Sequence, residues 1–445
     1  MAKKLRTFLT PTMPARTVPI ELYRQLTCLR TLDLGGCEDI MELPNEVEGL
    51  LHLRYLNLWG TKVSELPETL CNLYNLQTLQ LMRCTNLHKL PDGIGKLSNL
   101  RYLQIRETDA LGYLPRGIGR LGFLRTLSKF IVGGGSKGCK MGELKHLNFL
   151  RGDLEIKGLE WVGGMNEAAE AELGKKKDLH GLTLQFGDTD AEKMEVVLKN
   201  LQPHKNLEKL AIKGYPSLHF PDWVTTASNI VTLKLSNCKN LRVLPDLSKL
   251  KSLETLVLRQ LYEMEECEEM VPSNNEGKQE ANIQLPRLRE VVIQYCPKLK
   301  VVPYYIMFSP TLKEMSIDNC PELGGVQPRL PPLHGVFSKS VPLVGKSDES
   351  SYPNLKSVRI EYSPHSSLPK DFNQLTSIQS LFLDNCETLD FELEELKHLT
   401  MLQHLWIYNC PILKERFGEG KDWRSTLSHV PRITINYMEI TRSRN

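Results

Sequence analysis

The sequence predicts an α/β repeat solenoid, with short parallel strands stacked on one face and an irregular, briefly helical return on the other. Three observations carry this. Leucines recur in one spacing: Leu26, Leu29, Leu32 and Leu34, then Leu50, Leu53, Leu56 and Leu58, then Leu73, Leu76, Leu79 and Leu81, then Leu97, Leu100, Leu103 and Ile105. Leu32, Leu56, Leu79 and Leu103 are 24, 23 and 24 residues apart, inside the period of about 20–29 residues that marks a leucine-rich repeat. A second signature runs in phase: Leu43-Pro44, Leu66-Pro67, Leu90-Pro91 and Leu114-Pro115, with Val47, Leu70, Ile94 and Ile118 three places after each proline.

The alternation in Leu-x-Leu sends both leucines to one side of a short strand and the residues between and after them to the other. One repeat cannot bury its leucines alone. Stacked repeats share a core and pair their strands, which predicts a horseshoe with a parallel sheet on its concave face. Proline has no N–H to give a ladder, so the Leu-Pro pairs belong on the convex return.

In chain order, residues 1–25 read as an N-terminal cap or remnant linker and 26–132 as regular repeats. Residues 133–225 read as irregular repeats with loop insertions, beginning with the stretched Leu147, Leu150, Leu154 and Ile156. Residues 226–415 resume the rhythm, with insertions at 262–284 and 324–351, and 416–445 form a C-terminal cap. Gly133–Lys140 and the acidic Gly187–Glu195 read as further surface insertions.

Basic and acidic residues nearly balance, at a net charge of +3, so nothing points to a nucleic acid partner. No run of about 18 apolar residues predicts a membrane span, and the first 20 residues hold no signal-peptide core. The 11 cysteines are odd in number and no Asn-x-Ser/Thr sequon occurs, which together suggest a reducing, cytoplasmic or nuclear location. Seven cysteines (37, 84, 238, 296, 320, 386 and 410) share one repeat position just past the strand, with Thr61 in that place once. There a buried thiol can satisfy the turn's backbone.

No chemistry-bearing motif is complete. Gly133–Cys139 has the glycines of a phosphate loop but Cys139 where its lysine belongs, and Gly345-Lys346-Ser347 lacks the leading glycine. Neither is expected to follow a strand or open a helix. No Cys-x-x-Cys or His-Glu-x-x-His occurs, and no nucleophile elbow is expected. We expect no enzyme, no cofactor and no metal.

Binding is then expected from the outward residues around each Leu-x-Leu: Asn57, Trp59, Arg83, Arg106 and Glu107 early, Arg259, Tyr295, Asp318, Glu361 and Tyr362 later, and Phe382, Asp384, Trp406 and Tyr408 last. Aromatics and arginines are the usual hot-spot types. The bland reading of the aromatics is packing between neighbouring repeats.

Several segments are irregular within the repeat: LRTLSKFIVG from Leu124, LKHLNFLRGDLEIKGLEWV from Leu144, KKKDLHGLTLQF from Lys175, LQPHKNLEKLAIKGY from Leu201 and FPDWV from Phe220. With Asp422-Trp423 and His429–Ile433, they resemble the repeat region of plant coiled-coil, nucleotide-binding, leucine-rich-repeat (NB-ARC LRR) disease resistance proteins. The resemblance implies recognition of a protein ligand, either a pathogen effector or a guarded host protein, with a restraining contact to an NB-ARC module. That module's phosphate loop has no counterpart here, so no nucleotide switching is expected of this chain. The alternatives are a generic intracellular interaction scaffold and a truncated decoy without signalling activity.

Overall fold

The computed structural model describes residues 5–9, 19–267, 285–300, 302, 306, 309–323, 354–368, 372, 375–417, 423–436 and 438–441. They fall into two compact units, Met1–Tyr215 and Pro216–Asn445.

In the first unit, β1 (Thr7–Leu9), β2 (Thr31–Asp33), β3 (Tyr55–Asn57), β4 (Thr78–Gln80), β5 (Tyr102–Gln104) and β6 (Thr126–Leu127) form one sheet in sequence order. Every neighbouring pair is parallel, and Leu32, Leu56, Leu79, Leu103 and Leu127 stand in register. Leu32, Leu34, Leu56, Leu58, Leu79 and Leu81 are fully buried, as the alternation requires. Burying one leucine is worth roughly 1.5–3 kcal/mol, so the stack of side chains is what offsets the ordering of the chain.

The return side is short 3-10 turns. Pro44 and Pro67 precede Asn45–Gly49 and Glu68–Asn72 with extended backbone, where a missing N–H costs nothing. Polar side chains tie one return to the next. The Glu68 carboxylate accepts the N–H groups of Asp92 at 2.7 Å and Gly93 at 3.2 Å. Asn75 and Asn99 donate to the carbonyls of Leu51 and Tyr74 at 2.8 and 2.7 Å.

A second run begins in the same unit: β7 (Lys129–Ile131), β8 (Gly152–Lys157), β9 (Leu179–Gln185) and β10 (Lys209–Lys213), again parallel, with a register shift at Gly152/Asp153. Ser128 stands between the two ladders. Its hydroxyl accepts the Ile105 N–H at 2.8 Å and its carbonyl accepts the Glu155 N–H at 3.1 Å. On the return side, Lys176 is only 2% exposed. Its Nζ donates to the carbonyls of Leu144 at 2.7 Å and Leu147 at 3.1 Å, at the end of the turn Met141–His146.

Two of the expected insertions read differently here. The acidic stretch is a loop only to Asp190. Residues Ala191–Lys199 form an α-helix that buries Met194, Val197 and Leu198, and Asp190 caps it by accepting the Glu192 N–H at 2.9 Å. The i, i+3, i+4 spacing of those apolar residues is the signal that the acidic composition masked. In Gly133–Lys140 only the tip is exposed. Gly133 and Gly138 approach so closely that a Cβ on either would fall 2.5 or 2.4 Å from the other's Cα. This loop does come directly after a strand, β7, contrary to expectation. It leads into a 3-10 turn, and Cys139 is buried with its thiol donating to the Ile131 carbonyl at 3.2 Å.

The second unit contains β11 (Thr232–Ser236), β13 (Thr255–Arg259), β15 (Glu290–Gln294), β16 (Glu314–Asp318), β17 (Ser357–Glu361), β18 (Ser380–Asp384), β19 (His404–Tyr408) and β20 (Arg432–Ile435) as consecutive parallel neighbours, closed by the antiparallel β21 (Met438–Thr441). A separate pair, β12 (Val243–Leu244) and β14 (Glu266–Cys267), lies on the return. It draws the first residues of the acidic 262–284 insertion into structure. Residues 268–284 and the whole of 324–351, including Gly345-Lys346-Ser347, lie outside the described residues.

Two repeat positions make the turn after each strand. The cysteine position is buried, and its thiol or hydroxyl donates to a strand carbonyl: Cys84 and Thr61 to Leu58 at 3.0 and 2.8 Å, Cys410 to Tyr408 at 3.1 Å. The residue before it takes a positive φ, as in Gly36, Gly60, Arg83, Asn237, Asn319, Asn385 and Asn409. That conformation turns its N–H onto a carbonyl of the next repeat, at 2.8 Å from Gly60 to Met82 and 3.0 Å from Arg83 to Arg106. Glycine and asparagine suit the left-handed region and account for most of these positions.

Candidate binding face

On the outer face the three-residue strands present two residues each and the five-residue strands three. In the first unit the expected residues mostly pair with one another. Asn57, on β3, donates to the Asp33 carboxylate at 2.8 Å and accepts the Trp59 N–H at 2.9 Å, which makes it a turn-builder. Trp59 remains 41% exposed. Arg83 and Glu107 form an ion pair at 2.8 Å, and Arg106 lies 3.6 Å from Asp153. All four are half exposed, where such pairs are worth about 0–1 kcal/mol.

In the second unit the expected residues gather. Phe382 and Trp406 are register partners across β18 and β19, and Asp384 is the partner of Tyr408. Ring centroids of Phe382 lie 6.4 Å from Trp406 and 5.4 Å from Tyr408. These aromatics pack between repeats, as the bland reading expects, and still face outward, half-buried. Two members were missed from the sequence. Arg359, the register partner of Phe382, holds its guanidinium 4.0 Å from the centre of that ring and pairs with Glu361 at 3.1 Å. His404 stacks on Trp406 at 5.1 Å with the rings nearly parallel. Arg359 occupies the same place between the core residues as Phe382 and Trp406, and that shared place was the available signal.

Asp318, Glu361 and Asp384 form a row of carboxylates on three adjacent strands. Asp318 departs from the expectation of an exposed contact residue, being 4% exposed although the alternation places it on the outer face. Burial, and then the like charge of Glu361, push its carboxyl above the usual range, with Arg259 pulling the other way. Arg259 is itself engaged by Gln294, one strand over, with Nε 2.8 Å from the amide oxygen. Asp384 accepts from the Asn409 side chain at 3.1 Å.

Tyr295 and Tyr362 stand in the left-handed turn position beside this row, with φ of 55° and 50°. Arg83 and Glu107 hold the same position in the first unit. None of these four residue types prefers that backbone, and strained residues of this kind cluster at functional sites. Tyr362 is half exposed, and desolvation followed by the negative charge of Asp384 raises its phenol pKa.

Among the described residues no group of His, Cys, Asp or Glu could hold a metal ion, and no helix is long and apolar enough to cross a membrane.

Residues 141–261 match the family model described as R13L1/DRL21 LRRs, and residues 52–73 the one described as Leucine Rich Repeat. The chain is 35% identical over 394 residues to disease resistance protein RGA2 of Solanum bulbocastanum, covering 87% of this chain and 36% of that protein. It is 35% identical over 421 residues to the putative disease resistance RPP13-like protein 1 of Arabidopsis thaliana, covering 88% and 40%. The chain thus spans well under half the length of these relatives. Among solved structures, a leucine-rich-repeat protein of Leptospira interrogans superposes with a TM-score of 0.50 at 21% identity, covering 97% of this chain and 96% of that one. That likeness concerns the fold alone.

Proposed function

We propose that this chain, a leucine-rich-repeat protein homologous over most of its length to plant disease resistance proteins, is a recognition domain of plant innate immunity. It binds a protein ligand, a pathogen effector or a guarded host protein, through the outer face of its sheet. Its partners are proteins, and it carries out no catalysis. A second contact, to an NB-ARC module in cis or in trans, restrains that module until the ligand arrives.

The observation that carries this reading is the Phe382–Trp406–Tyr408 cluster with Arg359 laid over Phe382. These are the residue types that dominate binding energy, and a rigid parallel ladder holds them facing outward with little side-chain freedom left to lose. A core built of leucine from both directions supplies the rigidity.

The test joins Phe382→Ala to Trp406→Ala and compares the variant with wild type for co-immunoprecipitation of candidate effectors and host proteins in plant tissue. Capture is expected to fall at least tenfold, while the fold is retained with a modest loss of thermal stability from the ring packing removed. Undiminished capture would overturn the assignment of the face.

A further inference from the structure

We propose that the carboxylate row Asp318–Glu361–Asp384 is a seat for an arginine side chain of the protein ligand. The proposal rests on the reading of the outer face as a binding face and names the chemistry recognised there. Asp318 supplies the motive. It is 4% exposed, it lies on the outer side of β16, and among the described residues its Oδ1 accepts no hydrogen bond. A buried carboxylate oxygen without a donor is costly, and a cation brought by a partner removes that cost.

The rest of the row fits a guanidinium. Adjacent strands stand about 4.8 Å apart, so three carboxylates in register make a strip and not a cage. Among the described residues they form no metal-ligating group. A strip suits a flat, forked donor that reaches two oxygens at once. Tyr295 and Tyr362 stand in the turn positions beside the row, and the charges of Asp384, Asp318 and Glu361 act on the Tyr362 phenol. The face already contains the arrangement in miniature: Arg359 lies between the Phe382 ring at 4.0 Å and the Glu361 carboxylate at 3.1 Å. The incoming arginine repeats that arrangement beside Asp318 and Asp384.

The probe is a glycine/serine heptapeptide with blocked ends carrying two arginines, titrated calorimetrically into the full chain, beside the same peptide with citrulline. The arginine peptide is expected to bind, and added salt to weaken it. Citrulline, or Asp318→Asn, is expected to weaken binding roughly tenfold or more. Asp384→Asn provides a second variant at a more open position, should Asp318→Asn not fold. Equal binding of the two peptides, or no effect of either variant, overturns the proposal. If Phe382→Ala/Trp406→Ala abolishes capture of the protein ligand while Asp318→Asn changes nothing, the face stands and the arginine seat falls.

Discussion

Replacing Lys176 with methionine separates an electrostatic cost from a structural role. The ammonium is buried, and its Nζ donates to the Leu144 and Leu147 carbonyls. Desolvation outweighs the opposing pull of Glu172 and lowers its pKa from 10.5 to about 8. The sign is set by proton binding. Between about pH 8 and pH 10.5 the unfolded chain holds a proton at this site that the folded chain has released. Stability from this group therefore rises with pH across that window, and below it the folded state bears the full cost of a buried cation. At about 1.36 kcal/mol for each pH unit separating the two values, the rise amounts to roughly 3 kcal/mol. Lys176→Met keeps most of the stem, removes the titration and leaves the two carbonyls short of a donor. The assay is urea unfolding of wild type and variant, monitored by circular dichroism from about pH 7.5 to pH 10.5. The difference between them cancels other groups titrating there, such as Tyr23 and Cys139, whose pKa values burial raises. The wild-type advantage is expected to grow with pH. A flat difference, or one that shrinks, would refute the account of Lys176 as a desolvated cation.

The turns and the thiols give further outcomes. Gly60 and Gly158 share a left-handed backbone, φ of 69° and 76°, but a Cβ at Gly60 meets nothing within 4 Å while one at Gly158 falls 2.4 Å from the Val132 carbonyl oxygen. Gly60→Ala is thus expected to cost about 1 kcal/mol and Gly158→Ala clearly more, read as denaturation midpoints. Of the ten cysteines whose environment is described, Cys28 alone is exposed, and burial pushes the Cys71 thiol up to about 12. Alkylation mapped by mass spectrometry should modify Cys28 first, and rapid labelling of Cys71 in the folded protein would contradict the burial.

What was legible in the sequence is what the repeat writes many times. The leucine pairs, the Leu-Pro returns and the cysteine position each recur, and each stands where the period puts it. The helix at Ala191–Lys199 was missed because a single acidic segment has no second copy to reveal its phase. The left-handed position was missed for a different reason. Backbone geometry dictates it, and its glycine and asparagine bias is broken by Gln, Tyr, Arg and Glu in several repeats, which blurs the mark it leaves in the sequence. At the binding face, alternation identified which side Phe382, Trp406 and Tyr408 occupy. It did not show that Asp318 would be covered by its neighbours, because covering depends on side chains from other repeats. Asn57 shows the converse, an outward residue whose amide is spent on its own turn and on Asp33 of the preceding repeat.

Ser128 has a consequence for how the first unit comes apart. On either side of it each strand is held to the next by an unbroken series of main-chain bonds, so disorder starting at one end passes readily from neighbour to neighbour. At Ser128 the Ile105 N–H goes to a serine hydroxyl where a main-chain carbonyl would stand, while on the other side the main-chain bonds from Arg151 to Arg125 and from Glu155 to Ser128 continue. Opening that begins among β1–β5 meets a weaker link there, and the repeats carrying β8–β10 can outlast it. The rung at which a side chain replaces the main chain is where two cooperative blocks of this unit divide.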